Sequence, residues 1–254
     1  MSEKAIEIPT ADGTVDGYFC QPETGGPWPG VVYYPDALGI RAANREIAGR
    51  LSANGYAVLF PNVFYRTGPP PSFDFKPNFT EERTRKRFRE LTAPLTPEAM
   101  ERDGSAYVDF LAKQGSVARG RFGVVGTCFT GGMALRTAAA RPDKIAAVAS
   151  FHGGGLYTDE LTSPHLALPR VKARLLFAHA TQDHSMPAEA IAKLEQALPA
   201  WGGRYESRTY GAAHGWTMPG HPAYNEQEAE ASFAKLMELF SETLANQASG
   251  GAAS

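Results

Sequence analysis

The sequence predicts an α/β fold in which a mixed, mostly parallel sheet is flanked by helices on both faces. Three observations carry that expectation. Five short apolar runs, "VVYY" (31–34), "YAVLF" (56–60), "FGVV" (122–125), "IAAVASF" (145–151) and "RLLFA" (174–178), are continuous rather than alternating, as strands covered on both faces are. Helical stretches separate them, giving a β-α-β-α order. Upstream, Asp12-Gly13 marks a turn between two early strands, so the sheet should begin antiparallel and continue parallel.

Taken in order, "AIEIP" and "VDGYFC" form the early pair and "VVYY" the first parallel strand. "NREIAGRLSANG" (44–55) is a helix, with Ile47 and Leu51 four apart and Gly55 at its C-terminal cap. After "YAVLF", the stretch "YRTGPPPSFDFKPNFT" is Pro-rich, aromatic and too irregular for a regular element. Loops of that length commonly cover a site, and Tyr65, Phe73, Phe75 and Phe79 either roof a pocket or pack the loop itself. "RTRKRFRE" (83–90) follows Glu81-Glu82 and reads as one charged helix face, solvated or part of a lid, rather than a nucleic-acid surface. "GGMALRTAAARPD" is a helix stopped by Pro142, and Pro187 opens another after "RLLFA". "GGRYESRTY" is the last strand. The closing helix runs from Asn225 to Ala245, with Ala229, Phe233, Leu236, Met237 and Phe240 at helical spacing. The expectation is a single domain over 1–245, without repeat or internal linker, and a disordered tail over 246–254.

Composition narrows the function classes. A chain of 254 residues can close a substantial core without disulfides or metals. With 25 Lys+Arg against 27 Asp+Glu, the net charge of -2 offers no electrostatic attraction to nucleic acid or anionic lipid, and a small neutral partner fits best. "MSEKAIEIPT" lacks the apolar core of a secretory signal and no run of ~18 apolar residues offers a membrane span, so the expected location is cytoplasmic. Cys20 and Cys128 are too few for a disulfide scaffold or a cysteine zinc site. The sequence carries no signal for an oligomeric state.

Cys128 lies in "VVGTCFTGGMAL", at the turn where the strand "FGVV" becomes a helix. In α/β-hydrolases that turn is the nucleophile elbow, where small neighbours permit a strained backbone; Gly126, Gly131 and Gly132 supply them here. A helix N-terminus also favours a thiolate. The competing reading is a small buried hydrophobe. An elbow nucleophile requires an acid and then a histidine, each on a loop after a later strand. Asp183 in "TQDHSMP" and His214 in "GAAHGW" stand in that order. Singly, Asp183 could cap the helix after Pro187 and His214 could be a turn residue. Jointly they point to a Cys-His-Asp triad, which topology would gather at the carboxyl ends of the strands.

At this point the chain resembles the dienelactone hydrolase family, cysteine hydrolases on the α/β-hydrolase fold. The likeness runs from "PGVVYYPDALGI" through "YAVLFPNVFYR", "GTCFTGG" and "TQDHSMP" to "YGAAHGW" and "YNEQEAE". It implies that Cys128, Asp183 and His214 are the triad, and that the backbone N–H groups of Phe129 and Ala37 form the oxyanion hole. It also implies hydrolysis of carboxylic esters or lactones through a thioester, without metal or organic cofactor.

Two departures stand out. Thr130 intervenes before Gly131-Gly132, which should widen or reshape the elbow, and Asp36 occupies the place of a glutamate that contacts the resting thiol. Arg66 in "FYR" matches the first of two arginines that hold a substrate carboxylate, but "HGWTMPG" has Trp216 and Met218 where the second should be. A less charged, more apolar acyl group is therefore expected, with Asp36, Arg66, Trp216 and His152 as candidate substrate-binding residues. His152, in "FHGGG", is either a pocket wall or a plain turn; that motif follows the nucleophile and so cannot be the oxyanion loop of lipases. "HATQDH" could suggest a metal cluster, but His179 falls in a strand and no metal is expected. The alternatives are a thioesterase or other hydrolase on the same fold, and a non-catalytic binding protein that retains it.

Overall fold

The computed structural model describes residues 1–244. Two antiparallel strands open it, β1 (Ser2–Thr10) and β2 (Gly13–Gln21), paired across the Asp12-Gly13 turn from Ser2 opposite Gln21 to Thr10 opposite Gly13. Then come β3 (Gly30–Tyr34), α1 (Ala42–Ala53), β4 (Ala57–Pro61), a 3-10 turn at Tyr65–Thr67, α2 (Glu82–Thr92) and α3 (Pro97–Ala112). The second half runs β5 (Phe122–Thr127), α4 (Thr130–Ala140), β6 (Ile145–Phe151), a 3-10 segment at Pro164–Arg170, β7 (Arg174–Gln182), α5 (Ala188–Trp201), β8 (Tyr205–Ala213) and α6 (Glu226–Thr243).

All eight strands join one sheet in the order β1-β2-β4-β3-β5-β6-β7-β8. β2 meets β4 antiparallel, and every pairing from β4 onward is parallel. The five apolar runs become strands because both of their faces are covered: every residue of β3, β4, β5 and β6 is buried. Alternate residues then feed two cores. Val32, Tyr34, Val124 and Phe177 pack with side chains of α3, α4 and α5, such as Tyr107, Met133 and Leu194. Val31, Tyr33 and Val125 pack on the opposite face with Ala48 and Leu51 of α1 and Leu236 and Phe240 of α6. This is the α/β-hydrolase architecture. α6 ends at Thr243, two residues short of the expected Ala245, and both Ala245 and the expected tail over 246–254 lie outside the described residues. Among the described residues no helix is long and apolar enough to cross a membrane.

The charged run expected as a helix face is α2, and its arginines are paired: Arg85 and Arg89 bind Glu82, Arg87 reaches Glu90, and Arg83 lies 3.7 Å from Asp74. α3 went unmarked in the sequence. Its start is fixed by Thr96, whose side chain accepts a hydrogen bond from the Ala99 N–H, with Pro97 in the first turn.

Candidate active site

Parallel strands followed by helices place their connecting loops at one sheet edge, and three of those loops converge here. β5 ends at Thr127 and α4 begins at Thr130, leaving Cys128 and Phe129 to turn the chain. Cys128 has φ of 60°, a left-handed conformation that a side-chain-bearing residue holds only under constraint from its surroundings. Those surroundings are visible. Gly126 has no room for a Cβ, which would overlap the Thr130 carbonyl, and a Cβ on Gly131 would overlap Ser150 Oγ.

Thr130 adds a clamp. Its hydroxyl accepts the Thr127 N–H at 2.9 Å and donates to the Thr127 carbonyl at 2.7 Å, and it lies 3.4 Å from the Tyr34 carbonyl. The extra residue before the glycine pair thus braces the elbow through its hydroxyl. Through Thr127 Oγ1, which donates to the same Tyr34 carbonyl at 3.2 Å, the elbow is also tied to the end of β3.

Asp183 follows β7 and His214 follows β8, as their strand-end positions required. His214 Nε2 lies 3.2 Å from Cys128 Sγ, and His214 Nδ1 lies 2.7 Å from Asp183 Oδ2. Cys128 is partly exposed, the His214 side chain is 29% exposed and that of Asp183 2%, so the row of groups runs inward to a buried carboxylate. Asp183 does not cap α5. Its Oδ1 accepts the N–H groups of Ser185 at 2.8 Å and Met186 at 3.2 Å and the Ser185 hydroxyl at 2.6 Å, closing its own turn. Ser185 was missed in the sequence, although Asp followed two residues later by Ser is an Asx-turn pattern.

The electrostatics follow from these contacts. Burial resists ionisation of Asp183, but the hydrogen bonds from His214 and Ser185 prevail and hold its carboxyl below the ordinary value. Burial likewise opposes charge on His214, and the bonds to Asp183 and Cys128 overcome it, raising the imidazole to about 10. His214 thus carries its proton at neutral pH, with N–H groups directed at the carboxylate and at the sulfur.

His152 sits immediately behind the elbow rather than in an open pocket wall. It is 1% exposed, takes φ of 39°, and its Nδ1 accepts the Cys128 N–H at 3.2 Å, which the Phe151 carbonyl shares at 3.0 Å. Burial first, and then the charge of His214, pushes His152 well below the ordinary histidine value. The neutral ring accepts at Nδ1, so its proton is on Nε2 and is donated to Thr217 Oγ1 at 2.8 Å. The ring meets His214 edge-on with centroids 4.9 Å apart.

Three further expectations are corrected. Trp216 is fully buried, packed between His152 and Tyr210 at 5.2 and 5.4 Å, so it supports the site from behind and does not line it. Asp36 forms a two-bond fork with Arg41 at 2.5 and 2.7 Å and accepts the Leu38 N–H, which fixes the loop after β3; its carboxylate makes no hydrogen bond to Cys128. Arg66 is committed to two carboxylates, the buried Asp103 at 2.7 Å and Asp12 at 2.6 Å, leaving little charge for a substrate.

The backbone N–H groups of Ala37 and Phe129 have no acceptor among the described residues. The Phe129 ring is held between Phe64 and Phe88 at 5.6 and 5.4 Å, and Phe88 connects through Phe79 to Phe73 and Phe75. The aromatic loop residues thereby reach the nucleophile's neighbour, except Tyr65, which bonds Asp103 instead. His179 is buried and pushed down to about 4 by that burial, hence uncharged; among the described residues no three His, Cys, Asp or Glu side chains form a metal-binding group.

Comparison with known proteins bears on the family and the fold. The profile described as "Dienelactone hydrolase family" matches residues 15–244. A carboxymethylenebutenolidase of Rhodococcus opacus is 30% identical over 218 residues, covering 83% of this chain and 79% of the relative. Among solved structures, a Klebsiella pneumoniae protein provisionally called a dienelactone hydrolase superposes with a TM-score of 0.83 at 22% identity, covering 95% of this chain and all of the other. A dienelactone hydrolase-like promiscuous phosphotriesterase from metagenomic libraries gives 0.75 at 24% identity, over 96% of this chain and 100% of that one. The last two likenesses bear on the fold alone.

Proposed function

Since the chain belongs to the dienelactone hydrolase family, we propose that it hydrolyses small carboxylic esters or lactones through a thioester on Cys128. The observation that carries this reading is the unbroken row of Cys128 Sγ, His214 and Asp183 at 3.2 and 2.7 Å, with Cys128 partly exposed on a strained turn.

In the resting site the proton of the Cys128 thiol already rests on His214, whose raised basicity favours the imidazolium beside a sulfur anion. The thiolate attacks the carbonyl carbon, and the carbonyl π electrons move to oxygen. The N–H groups of Phe129 and Ala37, free of protein acceptors, receive that oxyanion; a single donor of this kind is worth ~3 kcal/mol. When the intermediate collapses, the C–O bond breaks and the imidazolium gives its proton to the leaving alkoxide, which in a lactone stays attached to the acyl group. His214 then deprotonates a water that attacks the thioester, and the cysteine leaves as thiolate, reprotonated from the imidazolium or held beside it. Asp183 keeps the imidazole in the required orientation throughout. The scheme requires neither metal nor organic cofactor.

With Arg66 committed to Asp103 and Asp12, the acyl group is expected to be less charged than that of a carboxylate-bearing dienelactone. Replacing Cys128 with alanine tests the whole reading on p-nitrophenyl acetate. Turnover should vanish with the circular dichroism spectrum unchanged, and a mutant that hydrolyses the ester as fast as the parent rules the assignment out.

A further inference from the structure

The first two turns of α4 form one wall of a cleft of about 530 Å³. Phe129, Met133 and Arg136 face it together because they are four and seven residues apart on the helix. Leu95 and Met100, before and within the first turn of α3, form the opposite wall, and Pro164 closes one side. α4 and the segment after β6 start from the carboxyl ends of their strands, the edge where Cys128 lies, and α3, which follows α2 and leads back into β5, packs beside α4. Phe129 directly follows Cys128, so one end of the cleft is lined by the residue next to the nucleophile.

Its far end holds Arg136, which is 6% exposed. The guanidinium makes one close hydrogen bond, to the Thr162 carbonyl at 2.5 Å. Its ion-pair partner Glu101 stands 3.6 Å away and is itself held in a two-bond fork by Arg170 at 2.6 and 2.8 Å. Burial is costly for a cation and lowers the pKa of Arg136 despite Glu101, and an acceptor oxygen from a ligand in the cleft it lines would offset part of that cost. Charge is already balanced around it: Arg136 and Arg170 stand against Glu98 and Glu101, so the site offers hydrogen bonds without a net positive field.

We propose that this cleft holds the acyl chain of the substrate, an apolar, uncharged chain carrying a neutral acceptor oxygen such as a ketone at its far end, where Arg136 donates to it. The proposal rests on the thioester reading of Cys128. Helix rise separates Phe129 from Arg136 by about 10 Å. At roughly 1.3 Å per bond in an extended chain, that is an acyl group of about eight carbons.

The test compares kcat/KM for the p-nitrophenyl esters of acetate, octanoate, 7-oxooctanoate and octanedioic acid. The parent should favour octanoate over acetate, and the oxo ester over octanoate, with the anionic monoester below both long chains. Met100→Trp, which fills the cleft, should lower the octanoate-to-acetate ratio at least tenfold. Arg136→Met should bring the oxo-to-octanoate ratio close to one from a value of about tenfold, the usual worth of one charged donor. A parent whose acetate hydrolysis needs Cys128 but which shows no chain preference overturns the cleft assignment, as does a Met100→Trp enzyme with an unchanged ratio. A preference for the anionic monoester overturns the neutral-acceptor assignment. Hydrolysis that survives Cys128→Ala overturns instead the thioester reading beneath it.

Discussion

Thr130→Val keeps the side-chain shape at the elbow while deleting its hydroxyl. Thr130 is fully buried, and its Oγ1 is the acceptor for the Thr127 N–H at 2.9 Å and the donor to the Thr127 carbonyl at 2.7 Å. In the variant the amide hydrogen is stranded in a buried turn, at a cost of ~1–3 kcal/mol, and the carbonyl loses a donor worth up to ~1 kcal/mol. The methyl that replaces the hydroxyl recovers at most ~0.8 kcal/mol. The net loss is about 2 kcal/mol, which in a protein of this size lowers Tm by roughly 4–8 °C. Activity should fall as well, by about tenfold on p-nitrophenyl acetate, because the φ of 60° at Cys128 is held by the same turn. Thr130→Ser restores the hydroxyl and should recover most of both losses. Thermal unfolding by circular dichroism and steady-state kinetics on the three proteins decide the matter. A valine variant with the parent's Tm and kcat shows that the glycine packing alone holds the elbow, and the clamp argument is then wrong.

The pH profile should report His214. Its raised value of about 10 means that the imidazolium, which protonates the leaving group, persists through neutral pH, so kcat/KM should have an alkaline limb near pH 10. The stability contributed by the charged ring is complete below about 6.5, the ordinary histidine value, and is lost as pH rises through about 10. An alkaline limb near pH 7 contradicts the contacts assigned to the ring. Thiol reactivity should separate the two cysteines: Cys20 is fully buried, and its thiol is pushed up to about 12 by that burial and then by Glu3, whereas Cys128 is partly exposed beside an imidazolium. Iodoacetamide at pH 8 should modify Cys128 at least ~100-fold faster, as peptide mapping would show; faster modification of Cys20 removes the activated-thiol argument.

The parts legible in the sequence are those whose signal is local. "IAAVASF" is β6 residue for residue, because a strand buried on both faces is written as an uninterrupted apolar run. The elbow was legible through its glycines, and the positions of Asp183 and His214 through strand order, since a loop after a given strand can only emerge at one edge. α3 was not legible: Glu101, Arg102, Asp103 and Gly104 in succession break its apolar pattern, and its contacts come from α4 and from β1 and β3, the strands being distant in sequence. Thr96-Pro97 was the only local mark of its start.

The residues whose roles were misread share one physical cause. Asp36 and Arg66 were both assigned outward, to the substrate, yet each found an opposite charge inside the protein, Arg41 for one and Asp103 for the other. A sequence shows that a charged residue occupies a position but not which distant segment will neutralise it, and Asp103 lies 37 residues beyond Arg66. The consequence reaches function. Asp103 is 1% exposed, so withdrawing Arg66 to bind a substrate carboxylate would strand a buried charge at ~3–5 kcal/mol, a cost comparable to the worth of the ion pair formed with the substrate. Recognition by Arg66 is therefore self-defeating in this fold. The acyl group must be selected by surfaces whose charges are already balanced, and the cleft between α3 and α4 has that property.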